Sequence, residues 1–449
     1  MPRRTICRAA AAATLLGTGN VHAAGFALIE HSASGMGNAY AGGAAIADDA
    51  STVYFNPAGM TRLTGQQLSA AIHYIDLQAD FFDDGSTTAS GEPLSGSDSD
   101  GGAVVIVPNV YYVRPVTPAL VFGVGVNVPY GLETHYDDDW VGRYHAVKSE
   151  LVTVNINPSL AWRIDDRLSV GGGVSVQYAK ATFSSVVDIG AFCTDLGNAD
   201  DCDALFGFQP QQDDGFGEQT GDSWGWGFNV GLVYALTDHS RLGLAYRSQV
   251  EHELEGEADF TMPGGLAAVL TSDVFTDVDV SASTTLPETV SLSYYHEISP
   301  RLAVMADWTW TRWSRFDELR IEYDNPDQPD TVTTQDWNDS SRYAIGVSYV
   351  LNPQWLLRGG VALDETPIPD AERRSPRVPA NDRRWLAFGA GYTVSDNLSF
   401  DVGYAHLFIA DTKINHEFES ETTATLRHTL RGDYEGTVNI FSAQLNWHF

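Results

Sequence analysis

From Gln66 to Phe449, apolar and polar residues alternate in one segment after another, with the period of two that a β-strand requires. In the last segment Phe441, Ala443, Leu445, Trp447 and Phe449 fall on one face, and Ser442, Gln444, Asn446 and His448 on the other. Val170 to Tyr178 and Leu302 to Thr311 alternate in the same way. Fourteen such segments are predicted, near 66–81, 103–114, 119–131, 149–163, 167–189, 221–236, 240–260, 276–297, 300–323, 338–350, 354–364, 382–394, 397–417 and 434–449. Their connections alternate in length. Tight turns at Pro115–Pro118, Ile164–Asp166, Thr237–His239, Ile298–Pro300, Leu351–Pro353 and Ser395–Asp396 alternate with seven long loops rich in Asp, Gly, Ser and Thr.

In water, an apolar strand face covers a core. Here the opposite face is small and polar, which suits a lumen, and the apolar face suits lipid. Inside a bilayer every backbone group must find a partner, and a sheet achieves that only by closing. The expected fold is all-β: a 14-stranded antiparallel transmembrane β-barrel over residues 62–449, with both ends in the periplasm.

The first 23 residues read as a secretory signal peptide. They hold a basic stretch with Arg3, Arg4 and Arg8, a short apolar run from Ala9 to Gly17, and a small-residue cleavage site at Val21-His22-Ala23. Cys7 precedes the apolar run and is discarded with it. Residues 24–61 break the alternation. They hold ten alanines and six glycines, with neither strand period nor a sustained helical stripe, a composition suited to a compact plug.

Within that plug, Ala24-Gly25-Phe26, Ser34-Gly35-Met36-Gly37, Ala47-Asp48-Asp49-Ala50 and Asn56-Pro57-Ala58 follow one another directly behind the cleavage site. In wording and order they resemble the N-terminal hatch of the FadL-type family, outer-membrane transporters of long-chain fatty acids and other hydrophobic molecules. The resemblance implies a bacterial outer-membrane location and passive uptake. Phe26 is then a movable apolar contact in the ligand pocket, and Gly35, Gly37, Asn56, Pro57 and Ala58 belong to the gate. It also implies that Val128, Pro129, Tyr130 and Gly131 form a kink that opens the wall sideways. The residues themselves support a bend: Pro129 lacks a ladder donor, and Gly123, Gly125 and Gly131 weaken pairing. A plain bulge at the rim is the competing reading.

Two long loops carry apolar residues where water is expected: Phe192, Leu205, Phe206 and Phe208 in the third, and Leu266, Leu270 and Phe275 in the fourth. A patch of this kind marks binding, and the resemblance makes it a landing groove for ligand; a self-packed lid is the alternative. Cys193 and Cys202 share the third loop, and an even pair in an oxidising compartment favours a disulfide over a metal site. The family's carboxylate-binding cations do not carry over, since Ser185 and Thr333 stand where two are expected. Lys180, Arg320 and Arg342 lie nearby in the chain without a motif that assigns them. An uncharged ligand, an alkane or aromatic hydrocarbon, is therefore the alternative substrate.

Composition adds limits. The chain has 26 basic against 59 acidic residues, a formal net charge of −33. That excess speaks against nucleic acid, whose phosphates select basic surfaces. It fits loops facing an anionic, lipopolysaccharide leaflet through divalent cations, a saline habitat that screens self-repulsion, or plain solubilising surface charge. The sequence lacks the G-x-S-x-G, H-E-x-x-H and P-loop motifs. His135, His145 and His296 read as polar barrel residues. A nonspecific porin and an outer-membrane hydrolase are the remaining alternatives; the expectation is no enzyme, no cofactor and no metal. Gly96 to Gly101 lacks the acidic residue that would complete a calcium loop, so it reads as a solvated turn. The family resemblance implies that the last strand, ending at Phe449, is the recognition signal for the barrel-assembly machinery, and the barrel is expected to be a monomer.

Overall fold

The computed structural model describes residues 25–196, 202, 207–263, 273–420 and 422–449. The signal peptide, Leu205, Phe206, Leu266 and Leu270 lie outside the described residues. The rest is a closed fourteen-strand barrel around a small N-terminal hatch.

The strands run Gln67–Asp83, Ala103–Pro115, Leu120–Asn127 continued by Gly131–His135, Lys148–Arg163, Leu168–Asp188 and Asp214–Thr237. Next come Ser240–Arg247 with Val250–Thr261, Val278–Leu286 with Thr289–Ser299, and Leu302–Thr311 with Glu318–Tyr323. Ser340–Val350, Trp355–Asp364, Arg383–Ser395, Leu398–Ile409 with Thr412–Glu417, and Thr429–His448 complete the ring. Each strand pairs antiparallel with its neighbours. The first and last close the barrel from Gln67↔His448 to Asp83↔Gly432, and the Phe449 amide donates to the Gln66 carbonyl at 3.0 Å.

Several predicted bounds need correction. The sixth strand begins at Asp214 and the last at Thr429, because both ladders run on above the lipid-facing stretch, where alternation no longer betrays them. The third strand is not continuous over 119–131: it breaks at Val128–Tyr130 and resumes as far as His135. The ninth breaks between Thr311 and Glu318 around a single 3-10 turn, Trp313–Arg315.

Along the sixth strand Trp224, Trp226, Phe228 and Val230 are exposed on the lipid face. Gly225, Gly227, Asn229 and Gly231 alternate with them on the lumen face. The hatch folds into three helical turns, Ala33–Met36, Gly43–Ile46 and Thr52–Phe55, then a 3-10 turn, Pro57–Arg62. None is long enough to give the sequence a helical stripe, which explains why 24–61 looked irregular. Gly37 lies so close to Gly389 that a Cβ on either would come within 2.9 Å of the other's backbone. Backbone-to-backbone contact of this kind is why hatch and wall are both glycine-rich.

Candidate transport pathway

Five wall arginines hold the hatch by its carbonyl oxygens. Arg241 donates to Ala45 and Ile46 (both 2.6 Å), Arg247 to Tyr54 (2.9 Å), Arg342 to Ala39 (2.8 Å) and Arg383 to Gly25 (2.9 Å); Arg163 donates to Thr61. Three of these sites, at Ala45 and Ile46, at Tyr54 and at Thr61, lie at C-terminal ends of hatch turns, where free carbonyls attract cations. The sequence signal was a basic residue at an inward-facing position of an alternating strand.

Asn56 supplies the reverse contact. Its Nδ2 donates to the carbonyls of Ala44 (2.7 Å), Leu232 (3.0 Å) and Leu244 (3.4 Å), while Oδ1 accepts the Ala58 amide at 3.1 Å. Pro57 then opens the 3-10 turn that leads into the first strand. Each buried group left unpaired costs about 1–3 kcal/mol. Asn56→Ala is therefore expected to speed amide exchange of Ala44–Thr61 by about tenfold or more. Unchanged exchange in that stretch would remove Asn56 from the anchor.

At the other end of the hatch, Phe26 is buried in a cage of rings, three from strand breaks and one, Trp337, from the segment that leads into Ser340–Val350. Its centroid lies 4.7 Å from Trp313, 5.7 Å from Phe316, 5.8 Å from Trp337 and 6.2 Å from Tyr130. Trp313 and Phe316 come from the break in the ninth strand, and Tyr130 from the break in the third. The Tyr130 hydroxyl crosses the lumen to the Pro287 carbonyl (2.8 Å), in the gap of the eighth strand. These cage residues, Tyr130 apart, escaped the sequence reading.

The third strand pairs with the second only from Pro115↔Val121 to Val110↔Val126. Beyond that rung the second strand continues from Asn109 to Ala103 against the first strand alone. The third resumes at Gly131↔Val152 against the fourth alone. At the break, Thr153 Oγ1 replaces a rung, accepting the Tyr130 amide (3.0 Å) and donating to its carbonyl (2.7 Å). Higher up, the His135 amide meets the Gly101 carbonyl at 3.4 Å. The second and third strands thus leave a window bounded below by the last rung and above by that contact. Pro108 sits just past the rung, where a missing N–H leaves no donor stranded.

The hatch fills this window. The Leu28 amide donates to the Pro129 carbonyl (2.9 Å), and the Gly131 amide donates to the Phe26 carbonyl (3.0 Å). Behind it lies a largely apolar cavity of ≈ 490 Å³, whose lining includes Phe26, Leu28, Glu30, Val128, Arg342 and Ile106. The Ile106 side chain stands on the lipid face of the second strand, 60% exposed. Arg342 is buried, its guanidinium over the Trp385 ring at 5.0 Å. Its Nε and Nη1 protons meet no acceptor among the described residues.

A second, smaller cavity of ≈ 80 Å³ lies under the extracellular loops. Ser185 and Thr333 line it, together with Arg377, His145 and His428. Burial pushes the Arg377 guanidinium down to about 10, which leaves it cationic at neutral pH, and pushes His428 down to about 4, leaving it neutral. A cation therefore faces the space where the sequence offered only Ser185 and Thr333. It comes from a different loop, so chain position could not reveal it. Of the cations weighed from sequence, Arg320 is engaged with Glu318 (2.9 Å) and Asp330 (2.8 Å), and Lys180 lies on the outer surface.

Above this cavity Phe192, Phe208 and Phe275 pack into one buried cluster with Ile189 and Leu426. Cys193 and Cys202 are disulfide-bonded within it, their Cα atoms 6.0 Å apart. The Gly96 to Gly101 tract is not the solvated turn expected: it bridges at Ser97↔Trp140 and Asp80↔Asp100, with Asp98 accepting the Asp83 amide (2.8 Å) and Asp100 the Ala79 amide (2.9 Å) of the first strand.

A family model described as "Outer membrane protein transport protein (OMPP1/FadL/TodX)" matches residues 14–449. The chain belongs to this family. Outer membrane protein P1 of Haemophilus influenzae is 33% identical over 462 residues, covering 98% of each chain. The long-chain fatty acid transport protein of Escherichia coli K12 is 30% identical over 428 residues, covering 90% of this chain and 92% of that one. Among solved structures, a Pseudomonas aeruginosa FadL homologue superposes with a TM-score of 0.86 at 25% identity, covering 95% of this chain and 100% of that one. The CymD monoaromatic hydrocarbon channel shares the fold, with a TM-score of 0.65 at 20% identity, covering 94% and 99%. This FadL-family barrel is accordingly an outer-membrane transporter of hydrophobic compounds, a family of transporters and channels.

Proposed function

We propose that the barrel takes up long-chain carboxylates and similar anionic amphiphiles by passive, lateral passage. The ligand enters at the outer cavity lined by Phe275 and Arg377, beneath the self-packed cluster of Phe192 and Phe208, and descends into the central cavity. Displacement of Phe26 and Leu28 then frees the window between the second and third strands, and the ligand leaves into the lipid. The single observation that carries the reading is the end of the second–third strand ladder at Val110↔Val126, with an apolar cavity behind it and hatch backbone in the gap.

The energetic logic is continuous desolvation. Each Å² of apolar surface kept from water is worth about 25 cal/mol, so a route from greasy loops to apolar cavity to lipid avoids a crossing of the aqueous periplasm. The gradient supplies direction. Arg342 favours the anionic ligand, because a buried guanidinium edge without an acceptor is costly until a carboxylate meets it.

The test is native mass spectrometry of the barrel equilibrated with an equimolar mixture of a C16 carboxylate, the C16 alcohol and an alkylbenzene. Preferential retention of the carboxylate is expected. Preferential retention of the alkylbenzene overturns the substrate class in favour of hydrocarbon uptake.

A further inference from the structure

One side chain touches all three parts of the gate. Asn109 is buried one residue beyond the last rung between the second and third strands. Its Nδ2 donates to the Glu30 carbonyl of the hatch at 2.8 Å. Its Oδ1 accepts the Val128 amide, the first residue of the kink, at 3.4 Å, and lies 3.4 Å from His31 Nδ1. His31 is fixed in turn against Tyr54, with ring centroids 3.5 Å apart, and the Arg247 guanidinium sits 4.2 Å from the Tyr54 ring.

We infer that Asn109 is the positioning residue that couples the leading segment of the hatch to the window, an inference that rests on the lateral-passage reading. The chemistry fits an amide and little else of that size. It supplies a donor for the hatch and an acceptor for the strand without burying a charge. Because Val128 N–H and His31 share one oxygen, displacement of the hatch segment changes what holds the kink. The two movements are therefore linked through a physical contact and not through proximity alone. Asp at this position keeps the acceptors and loses the donor to Glu30. Leu loses both.

The test uses the full-length barrel with Asn109→Leu and Asn109→Asp, read by amide exchange along the hatch and by ion conductance in planar bilayers. In Asn109→Leu the amides of Leu28–His31 are expected to exchange about tenfold faster. Those of Ala44–Thr61 stay unchanged, and conductance rises. Asn109→Asp, which keeps the acceptors but turns a carboxyl toward the Glu30 carbonyl, is expected to accelerate Leu28–His31 alone as well, and carries the same test should the Leu variant fail to assemble. Unchanged exchange at Leu28–His31, or equal acceleration along the whole hatch, overturns the assignment; the second result marks a merely structural residue. Failure of the route is separately visible. Uptake that persists when the hatch is cross-linked over the window removes lateral passage, while segment-specific exchange in Asn109→Leu leaves the coupling in place.

Discussion

Oxidised Ala27→Cys/Tyr130→Cys barrels are expected to take up no hydrophobic ligand above the level of cells without the protein, and to recover on addition of dithiothreitol. Ala27 and Tyr130 form an isolated antiparallel bridge between hatch and kink. The flanking bonds, Leu28 amide to Pro129 carbonyl and Gly131 amide to Phe26 carbonyl, make them a pair without hydrogen bonds of its own. Such pairs place Cα atoms about 4.5 Å apart, within the range a disulfide spans. A covalent link therefore fits the resting arrangement and forbids any other in which the segment leaves the window. The loss of the Tyr130 ring weakens the cage around Phe26, so the reduced variant is the proper reference for the oxidised one. Full uptake by the oxidised barrel, with cross-linking verified by mass, would mean that ligand travels down the lumen or leaves elsewhere. The proposed route does not survive that outcome.

How much of this was legible beforehand follows from which forces each feature obeys. The wall was legible because lipid on one side and a packed lumen on the other impose a period of two on every strand. Phe441 to Phe449 show it without interruption. The hatch was legible as a unit because its Gly and Ala content answers a need for close backbone approach, as at Gly37 and Gly389. The gate was legible only in part. Pro129 announces a bend, but the window also depends on where the second strand stops pairing, and that is a property of three strands together.

The cage was hidden for another reason. Trp308 and Trp310 alternate as lipid-facing residues should; Trp313 already falls at the inward parity of Met305 and Thr311, but Phe316 falls at the outward parity of the two tryptophans. The break after Thr311 shifts the phase of the chain and carries Phe316 inward beside Trp313, a juxtaposition that strict alternation does not give. The arginines that grip the hatch were visible as inward-parity cations. Nothing in the sequence distinguishes Arg241, whose Nε and Nη2 both donate to hatch carbonyls, from Arg342, whose Nε and Nη1 meet no acceptor among the described residues.

That difference gives Arg342 its expected effect on ligand selectivity. In Arg342→Gln, the affinity for a C16 carboxylate is expected to fall about 10- to 100-fold, which corresponds to about 1.5–3 kcal/mol for a hydrogen bond to a charged group. Affinity for the C16 alcohol should change less than about threefold, since a neutral headgroup neither needs the charge nor relieves the unpaired Nε and Nη1 protons as strongly. The substitution also removes the bond from Arg342 to the Ala39 carbonyl at 2.8 Å, which loosens the hatch whichever ligand is present. A loss through the hatch lowers both affinities together, and a loss through the headgroup separates them, so the ratio of the two affinities is the quantity to measure. Arg342→Lys, which keeps the charge but not the planar fork, should lie between. Equal losses for carboxylate and alcohol would make Arg342 a hatch anchor only and leave Arg377, in the outer cavity, as the cation that meets a carboxylate. An unchanged carboxylate affinity in both the Arg342→Gln and Arg377→Gln variants would mean that charge plays no part in selection, and the barrel would then choose its ligands by apolar fit alone.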